Sequence, residues 1–290
     1  HMPLLAQLQT IYQRKDQLWL LIWLGGTLLL WGWNRLFLNA PALARVETGF
    51  ANTFIIALLV ILLSAALGWL SGVGLYFLEK AGNSLPYLTL SFLLNIIRSI
   101  PQIVGILLGY ILITVQIQSG ALQRPGAVIP VIAMVISLFV FLEISDLVRE
   151  RIAYYRKRDF YNAMQVCGIP EWQIVNREIL WRNSLAHLFN KLISIFGVTI
   201  FLLCSIDFII SVGLSGNVSS VNLPATLGSL LAKIDSKQDI LAIGHVLTHP
   251  GYLPRLFFEH LQGITVAFLI VFTLLCIYKI ANGFARRHEL

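Results

Sequence analysis

The chain has 290 residues, of which 57% are hydrophobic and only 12% are charged. Soluble globular domains carry about 25% charged residues, so this composition argues against a soluble protein and favours one solvated by a lipid bilayer. The formal net charge of +7 does not require a nucleic-acid partner, because a membrane protein reaches the same excess by retaining Lys and Arg in its cytoplasmic loops.

Apolar runs long enough to cross a bilayer recur along the chain, since about 20 residues span roughly 30 Å of hydrocarbon as a helix. The first lies at about 17–38 and contains several tryptophans, which are typical of a membrane interface. The second, at about 51–78, has small residues at helical spacing that favour the close approach of another helix. These small residues are Ala65, Gly68, Ser71 and Gly72.

The third apolar region, at 85–118, is too long for one straight span. Because Pro86 and Pro101 interrupt it, we predict a short helix, a break near Pro101 and then a spanning helix. Three more apolar runs complete an all-α polytopic membrane protein with about six transmembrane helices. They lie at about 126–148, 184–213 and 261–284.

Positive charge is concentrated between the fourth and fifth spans, in a loop that we expect to stay in the cytoplasm. With six spans, both termini then face the cytoplasm. The opposite side receives loops at 39–50, 119–125 and 214–260, and within the last of these 223–249 predicts one or two short amphipathic helices. The basic residues of the cytoplasmic loop are Arg149, Arg151, Arg156, Lys157, Arg158, Arg177 and Arg182.

Within this cytoplasmic loop the sequence predicts a helix, a sharp turn and a second helix. Gly168 suits the end of the first helix, because glycine readily adopts the left-handed conformation found there. Pro170 suits the first turn of the second helix, which we expect to run to about Leu180. Taken alone, the pattern is typical of an amphipathic helix that rests on lipid headgroups.

The same loop resembles the EAA motif of permease subunits in type I ABC importers. In that motif three residues separate E-A-A from a glycine, and a stretch that ends in I-x-L-P follows. The matching segments are Asn162-Ala163-Met164, Gly168 and Glu178-Ile179-Leu180-Trp181. The residues that depart from the motif are Asn162, Glu178 and Trp181. The stretch 168–180 is similar to that of the dipeptide, oligopeptide and nickel branch, whereas phosphonate-type and other small-solute permeases are the alternative subfamilies.

Further segments resemble signatures of these permeases in the same order along the chain. Asn52-Thr53 resembles N-T, Arg98-Ser99-Ile100-Pro101 resembles R-S-I-P, and 227–232 resembles the W-G-S-L-L-A stretch of the last external loop. Residues 1–48 lack the G-T-D and G-R-D signatures of one subunit class. The resemblance implies an N-terminal segment at 1–48 with the first span, followed by an importer transmembrane domain at 49–285.

The resemblance implies a coupling helix within about 159–182 that docks onto a cytoplasmic ATPase. Small and apolar side chains, including Val175, offer surface for a socket there, while Glu171 and Arg177 supply charges at its rim. The residues implied to couple the chain to the ATPase are Asn162, Ala163, Met164, Gly168, Ile169, Pro170, Glu171, Trp172, Ile179 and Leu180.

Charged residues near the spans are candidates for the translocation path, because an unpaired charge in the bilayer costs at least a few kcal/mol. Arg98 either lines the path or, as we favour, extends to the interface or pairs with another helix. Asp207 faces the path, contacts a cationic group of the substrate or, as we rank first, forms a structural ion pair. The candidate path residues are Arg98, Ser99, Pro101 and Asp207. The local ion pairs expected after the fourth span involve Glu143, Asp146, Arg149 and Arg151.

The chain contains no G-x-x-x-x-G-K-[ST] sequence, so we predict that it is not an enzyme and that ATP and Mg²⁺ bind to two separate ATPase subunits. The resemblance implies three further features: a second, different permease chain, an extracytoplasmic solute-binding protein and a location in the bacterial inner membrane. A peptide is the implied cargo, with a metal chelate or another small solute left open.

Two other classes of function compete with an importer. An ion-coupled secondary transporter would show several intramembrane carboxylates or broken helices in both halves, and a non-transporting scaffold would use 150–183 only to recruit a soluble partner. A membrane enzyme is disfavoured because the sequence has no recognisable set of nucleophile, base and orienting group. A metal site at His245, His249 and His260 is disfavoured because no carboxylate or cysteine completes a ligand set at the usual spacing. The cysteines, interpreted as small apolar fillers, are Cys167, Cys204 and Cys276.

Overall fold

The computed structural model describes residues 14–82, 84–122, 124–213 and 223–290. These residues form helices and no β-strand, which confirms the predicted all-α class. The helices of the first half are α1 (Lys15–Phe37), α2 (Ala40–Lys80), α3 (Ser84–Ser99), α4 (Gln102–Gln118), α5 (Pro125–Val140) and α6 (Leu142–Arg156). Those of the second half are α7 (Asp159–Val166), α8 (Glu171–Gln173), a π-helix (Ile174–Asn183), α9 (Leu185–Gly213), α10 (Leu227–Leu231), α11 (Ile234–Thr248), a 3₁₀ turn (Pro250–Tyr252), α12 (Leu253–Leu256) and α13 (Leu261–Arg287).

Three helices of the described chain, α2, α9 and α13, are long and apolar enough to cross a bilayer. Two bent pairs meet the same criterion together: α3 with α4, at an angle of 95°, and α5 with α6, at 44°. The described residues therefore contain three to five candidate spans. The predicted first span, α1, is not among them. Polar residues at its ends and glycines between them lower its mean hydropathy.

Helix α2 is longer than predicted, because it starts at Ala40 and includes most of the segment that we assigned to an external loop at 39–50. That loop assignment was wrong. The side chain of Asn39 accepts a hydrogen bond of 2.9 Å from the backbone N–H of Ala42, and Pro41 occupies the first turn. Both are helix-start signals. The helix also runs through the boundary proposed between 48 and 49.

The bend between α3 and α4 confirms the predicted break near Pro101, which lies between the two helices. Proline cannot donate a backbone hydrogen bond and disfavours a helical conformation in the residue before it. The predicted fourth span at 126–148 is instead two helices that meet at Phe141, and the second of them continues to Arg156. The fifth and sixth predicted spans agree closely with α9 and α13.

Close packing of α6 on α2 confirms the role predicted for the small residues of the second span. A β-carbon at Gly68 would lie 2.5 Å from the Cβ of Ile144, so only glycine fits there. The hydroxyl groups of Ser71 and Ser145 are 2.9 Å apart across the same contact. Helix α6 therefore follows α2 toward its C-terminal end.

The principal core lies between α2, α4, α5, α6, the π-helix and α9. Fully buried residues from these elements include Ile56, Ile136, Ile179 and Leu203. The π-helix belongs to the segment that sequence analysis assigned to a cytoplasmic loop, so part of that loop shares its core with the candidate spans. This shared core fixes the position of that part of the loop relative to the candidate spans.

Candidate coupling site

Residues 159–183 form a hairpin of α7, a tight turn, α8 and the π-helix, here named the Gly168 hairpin. Gly168 has φ of +75°, and a β-carbon there would meet nothing within 4 Å. Its N–H donates to the carbonyl of Gln165 at 3.0 Å, and the N–H of Ile169 donates to that of Met164 at 3.2 Å. This pair of bonds is the Schellman motif. The predicted helix end at Gly168 is therefore confirmed, and Pro170 directly precedes α8.

The tip of the Gly168 hairpin is exposed. Sequence reasoning missed two of its members: Val166, whose side chain is 88% exposed, and Cys167. The interpretation of Cys167 as an apolar filler was wrong, although Cys204 and Cys276 are buried as predicted. Helical spacing from Ala163 was the available signal for Val166, since residues three apart share a face. The predicted coupling residues that are exposed at this tip are Asn162, Ala163, Gly168 and Pro170.

The opposite face of the hairpin packs on the principal core. Met164 and Ile169 are half-buried against it, while Ile179 and Leu180 lie inside it. Val175, expected to offer surface to a partner, is fully buried. That expectation was wrong, because the π-helix lies against the spans and does not project from them. The second half of the motif therefore holds the hairpin in place.

Glu171 joins the hairpin to the C-terminal end of α2. Its carboxylate is bound by the ammonium group of Lys80 and by the hydroxyls of Tyr76 and Tyr161, the latter at 2.5 Å. We call these four residues the Glu171 clasp. The carboxylate expected at the rim of a docking surface thus faces inward, with its side chain 16% exposed, whereas the side chain of Arg177 is 59% exposed.

Aromatic contacts add a second connection between the hairpin and α2. The ring of Trp172 lies 6.1 Å from that of Trp69 and 5.6 Å from that of Phe77. The indole N–H of Trp69 also donates to the side-chain oxygen of Asn176 at 2.8 Å. Trp172 itself remains 56% exposed. It therefore both packs on α2 and presents surface beside the tip.

The π-helix connects the hairpin directly to α9. The side-chain amide of Asn183 donates to the backbone carbonyl of Glu178, five residues earlier, at 2.7 Å. Glu178 is buried and forms an ion pair of 3.0 Å with Arg182. Arg151 of α6 donates to the hydroxyl of Ser184 at 3.1 Å, where α9 begins. Segments of π-helix are often found at functional sites, and the 3.6-residue pattern used for prediction does not distinguish them.

The candidate path residues of the third span lie at the bend between α3 and α4. Arg98 pairs with Asp146 of α6 at 2.6 Å, with both side chains about half exposed, so it joins two helices. The hydroxyl of Ser99 donates to the carbonyl of Ile96 at 2.7 Å. Pro101 precedes α4. None of these contacts brings the bend to the Gly168 hairpin.

The local ion pairs expected after the fourth span were wrong. Glu143 pairs instead with Lys191 of α9 at 2.8 Å, and Asp146 pairs with Arg98 of α3. These carboxylates face neighbouring helices, whereas Arg151 contacts tyrosine rings and Ser184. Each pair therefore joins α6 to another helix.

Asp207, the remaining path candidate, is buried near the C-terminal end of α9. Its carboxylate accepts a hydrogen bond from the hydroxyl of Thr226. No basic residue of the described chain lies within ion-pair distance of it. The expected structural ion pair was therefore wrong, although the contact with Thr226 is structural.

Comparison of the chain with protein-family models and with curated proteins gives no match. The family resemblance thus depends on the residues of the motif alone.

The Gly168 hairpin combines an exposed tip with a base built into the candidate spans. The tip offers small and apolar surface, which suits insertion into a socket on another protein. The base contacts α2 through the Glu171 clasp, α6 through the carbonyl of Asn183, which accepts from the hydroxyl of Tyr155 at 3.3 Å, and α9 through the π-helix. Because a packed core deforms little, displacement of the tip would be transmitted to these three helices.

Proposed function

We propose that this chain is the permease subunit of an ATP-driven solute importer of the type I ABC class, with the Gly168 hairpin as its coupling element. The observation that carries the proposal is the division of the hairpin into an exposed tip and a base shared with the spans. A passive loop on lipid headgroups has no need of Ile179 and Leu180 in the principal core. A coupling element needs both parts.

Six spans are proposed, with α1 as the first and both bent pairs counted as one each. Helix α1 runs antiparallel to α13: Asp16 pairs with Arg287 at 2.8 Å, and Asn34 accepts from the hydroxyl of Thr265 at 3.0 Å. The 18 residues that separate these contacts on α1 cover roughly 27 Å, close to the hydrocarbon thickness. Since α13 is a candidate span, α1 beside it crosses as well.

With six spans, the hairpin and both termini share one side, which we assign to the cytoplasm of a bacterium on the basis of the arginine-rich 149–182 segment. We infer that two ATPase subunits bind ATP and Mg²⁺ there. Closure of the ATPases moves the hairpin, and the clasp and the π-helix transmit the movement to α2, α6 and α9. The spans then alternate between inward-open and outward-open arrangements.

The remaining assignments follow the family resemblance. A second, different permease chain completes the path, and an extracytoplasmic binding protein delivers the cargo. We propose a peptide as cargo, with a metal chelate or another small solute as alternatives. The bend of 95° between α3 and α4 and the buried Asp207 are features that an ion-coupled secondary transporter would use, so the test must separate the two energy sources.

Purification from native membranes tests the proposal directly. We expect the tagged chain to bring down an ATPase and, after reconstitution, to support uptake that requires ATP. Val166→Glu at the tip is expected to abolish recovery of the ATPase, whereas Leu247→Glu on α11, where the side chain is 83% exposed, is the matched control. Uptake driven by an ion gradient without ATP would show a secondary transporter, and an ATPase that stays bound to the Val166→Glu chain would show a different docking site.

A further inference from the structure

Residues 223–232, here named the Thr226 segment, lie between candidate spans and include the short helix α10. The hydroxyl of Thr226 accepts from the N–H of Ser229 at 3.2 Å, and the hydroxyl of Ser229 accepts from the N–H of Thr226 at 2.9 Å. This reciprocal capping box stabilises α10 locally. The segment is therefore an ordered unit between the candidate spans α9 and α13.

Contacts with the N-terminal third of α2 hold the Thr226 segment in place. The N–H of Leu227 donates to the buried hydroxyl of Thr53 at 3.0 Å, and the amide of Asn52 donates to the carbonyl of Ala225 at 2.8 Å. A β-carbon at Gly49 would lie 2.6 Å from a methyl group of Leu230. Asn52-Thr53 and 227–232, which sequence analysis treated as separate signatures, thus meet at one place.

Asp207 supplies the contact on the α9 side. Its buried carboxylate accepts from the hydroxyl of Thr226, and the buried hydroxyl of Tyr110 lies beside it. Gly228 allows the close approach, since a β-carbon there would lie 2.6 Å from the Cα of Cys204. A buried carboxylate that loses a donor pays a desolvation cost unless water replaces the donor. Departure of Thr226 therefore requires that water reach Asp207.

We propose that the Thr226 segment is a gate at the outer end of the translocation path, and that Asp207 is the positioning residue that holds it closed. The inference rests on the proposed function. When the segment withdraws, water can replace its hydrogen bonds to Thr53, Asn52 and Asp207. The groups of the segment that form these bonds are a backbone N–H, a carbonyl and a hydroxyl, and none of them carries a full charge. Withdrawal opens the space between α2, α9 and α13, which α10 contacts in the closed state.

Thiol accessibility tests the role of Asp207 in membranes that contain the full chain. Ala232 is buried at the end of α10, so Ala232→Cys is the reporter, with the three native cysteines changed to alanine. A membrane-impermeant maleimide should label it slowly. Asp207→Leu and Thr226→Val should raise the labelling rate about 10-fold or more, since each removes the buried hydrogen bond between Asp207 and Thr226. Thr226→Ser should restore slow labelling, because it keeps the hydroxyl.

Thr199→Val is the matched control, because Thr199 is also buried on α9 and its hydroxyl has no partner in the described chain. It should leave the labelling rate unchanged. Rapid labelling of the parent, or equal rates in the parent, Asp207→Leu and Thr226→Val chains, would overturn the positioning role of Asp207.

A cross-link then distinguishes a gate from a fixed element. The double variant Gly49→Cys, Leu230→Cys should form a disulfide under oxidising conditions. The disulfide should stop ATP-driven uptake in the reconstituted complex, and its reduction should restore uptake. Continued uptake by the cross-linked chain would overturn the gate and leave the proposed importer intact. A parent complex with no ATP-driven uptake would instead overturn the importer, and with it the gate, whatever the labelling shows.

Discussion

The two ends of helix α2 hold their neighbours by different means. At the C-terminal end, the Glu171 clasp and the ring of Trp172 join α2 to the Gly168 hairpin through an ion pair and aromatic packing. Toward the N-terminal end, Thr53 and Asn52 hold the Thr226 segment through hydrogen bonds that carry no full charge. The first connection suits a part that must move with the helix. The second suits a part that must separate from it.

The largest expected effect is at the tip of the Gly168 hairpin. Gly168→Trp introduces both bulk and the strain of a left-handed conformation, which costs roughly 1–2 kcal/mol outside glycine. We expect the chain to remain in the membrane while transport-linked ATP hydrolysis falls at least about 10-fold, the equivalent of 1.4 kcal/mol in a binding equilibrium. The measurement is ATP turnover and uptake by the reconstituted complex.

Gly82→Trp is the control for strain and bulk alone. Gly82 has φ of +68°, and a β-carbon there would also meet nothing within 4 Å. Unaltered coupled activity in the Gly168→Trp complex, or an equal loss in both variants, would remove the hairpin tip from the coupling site.

A smaller effect is expected when the clasp at the base is broken. Lys80→Met leaves the carboxylate of Glu171 with only its tyrosine partners, and the partial exposure of Lys80 limits the loss to about 1 kcal/mol. ATP turnover should continue, while the amount of cargo imported per ATP falls. Arg255→Met, which removes an exposed ion pair with Glu259, should change neither quantity.

A double-mutant cycle between Lys80→Met and Glu171→Gln sharpens this prediction. If the clasp transmits movement, the two single changes and the double change should lower the import-to-ATP ratio by similar factors, because all three remove the same connection. Additive losses would mean that Lys80 and Glu171 act separately.

A change at the contact between α11 and α13 is expected to lower the stability of the protein and to leave the amount of cargo imported per ATP unchanged. The carboxylate of Asp239 accepts from the N–H of Gly263 at 2.8 Å and contacts the ring nitrogen of His260 at 2.9 Å. Asp239→Ala removes both contacts and should lower thermal stability by about 1 kcal/mol, the usual cost of a lost helix cap. The import-to-ATP ratio should stay at the parent value. A fall in that ratio would contradict the assignment of coupling to the C-terminal end of α2.

The helical class, the last two spans, the break at Pro101 and the turn at Gly168 followed from the sequence, because each depends on local chemistry. The inward orientation of Val175 and Glu171 did not follow from the sequence, since a motif does not show which way its side chains face. The meeting of Asn52 with Ala225 joins residues 173 positions apart. Such contacts depend on helix packing, which no single segment encodes.

The smallest effect is expected at the pair of Arg98 and Asp146, which joins α3 to α6. Both side chains are about half exposed, and exposed ion pairs are worth about 0–1 kcal/mol. Arg98→Gln and Asp146→Asn should therefore change uptake less than about 5-fold, equally for cationic and anionic peptides, when initial rates are compared. A loss confined to one class of cargo would instead place Arg98 on the translocation path. The path would then include the bend at Pro101.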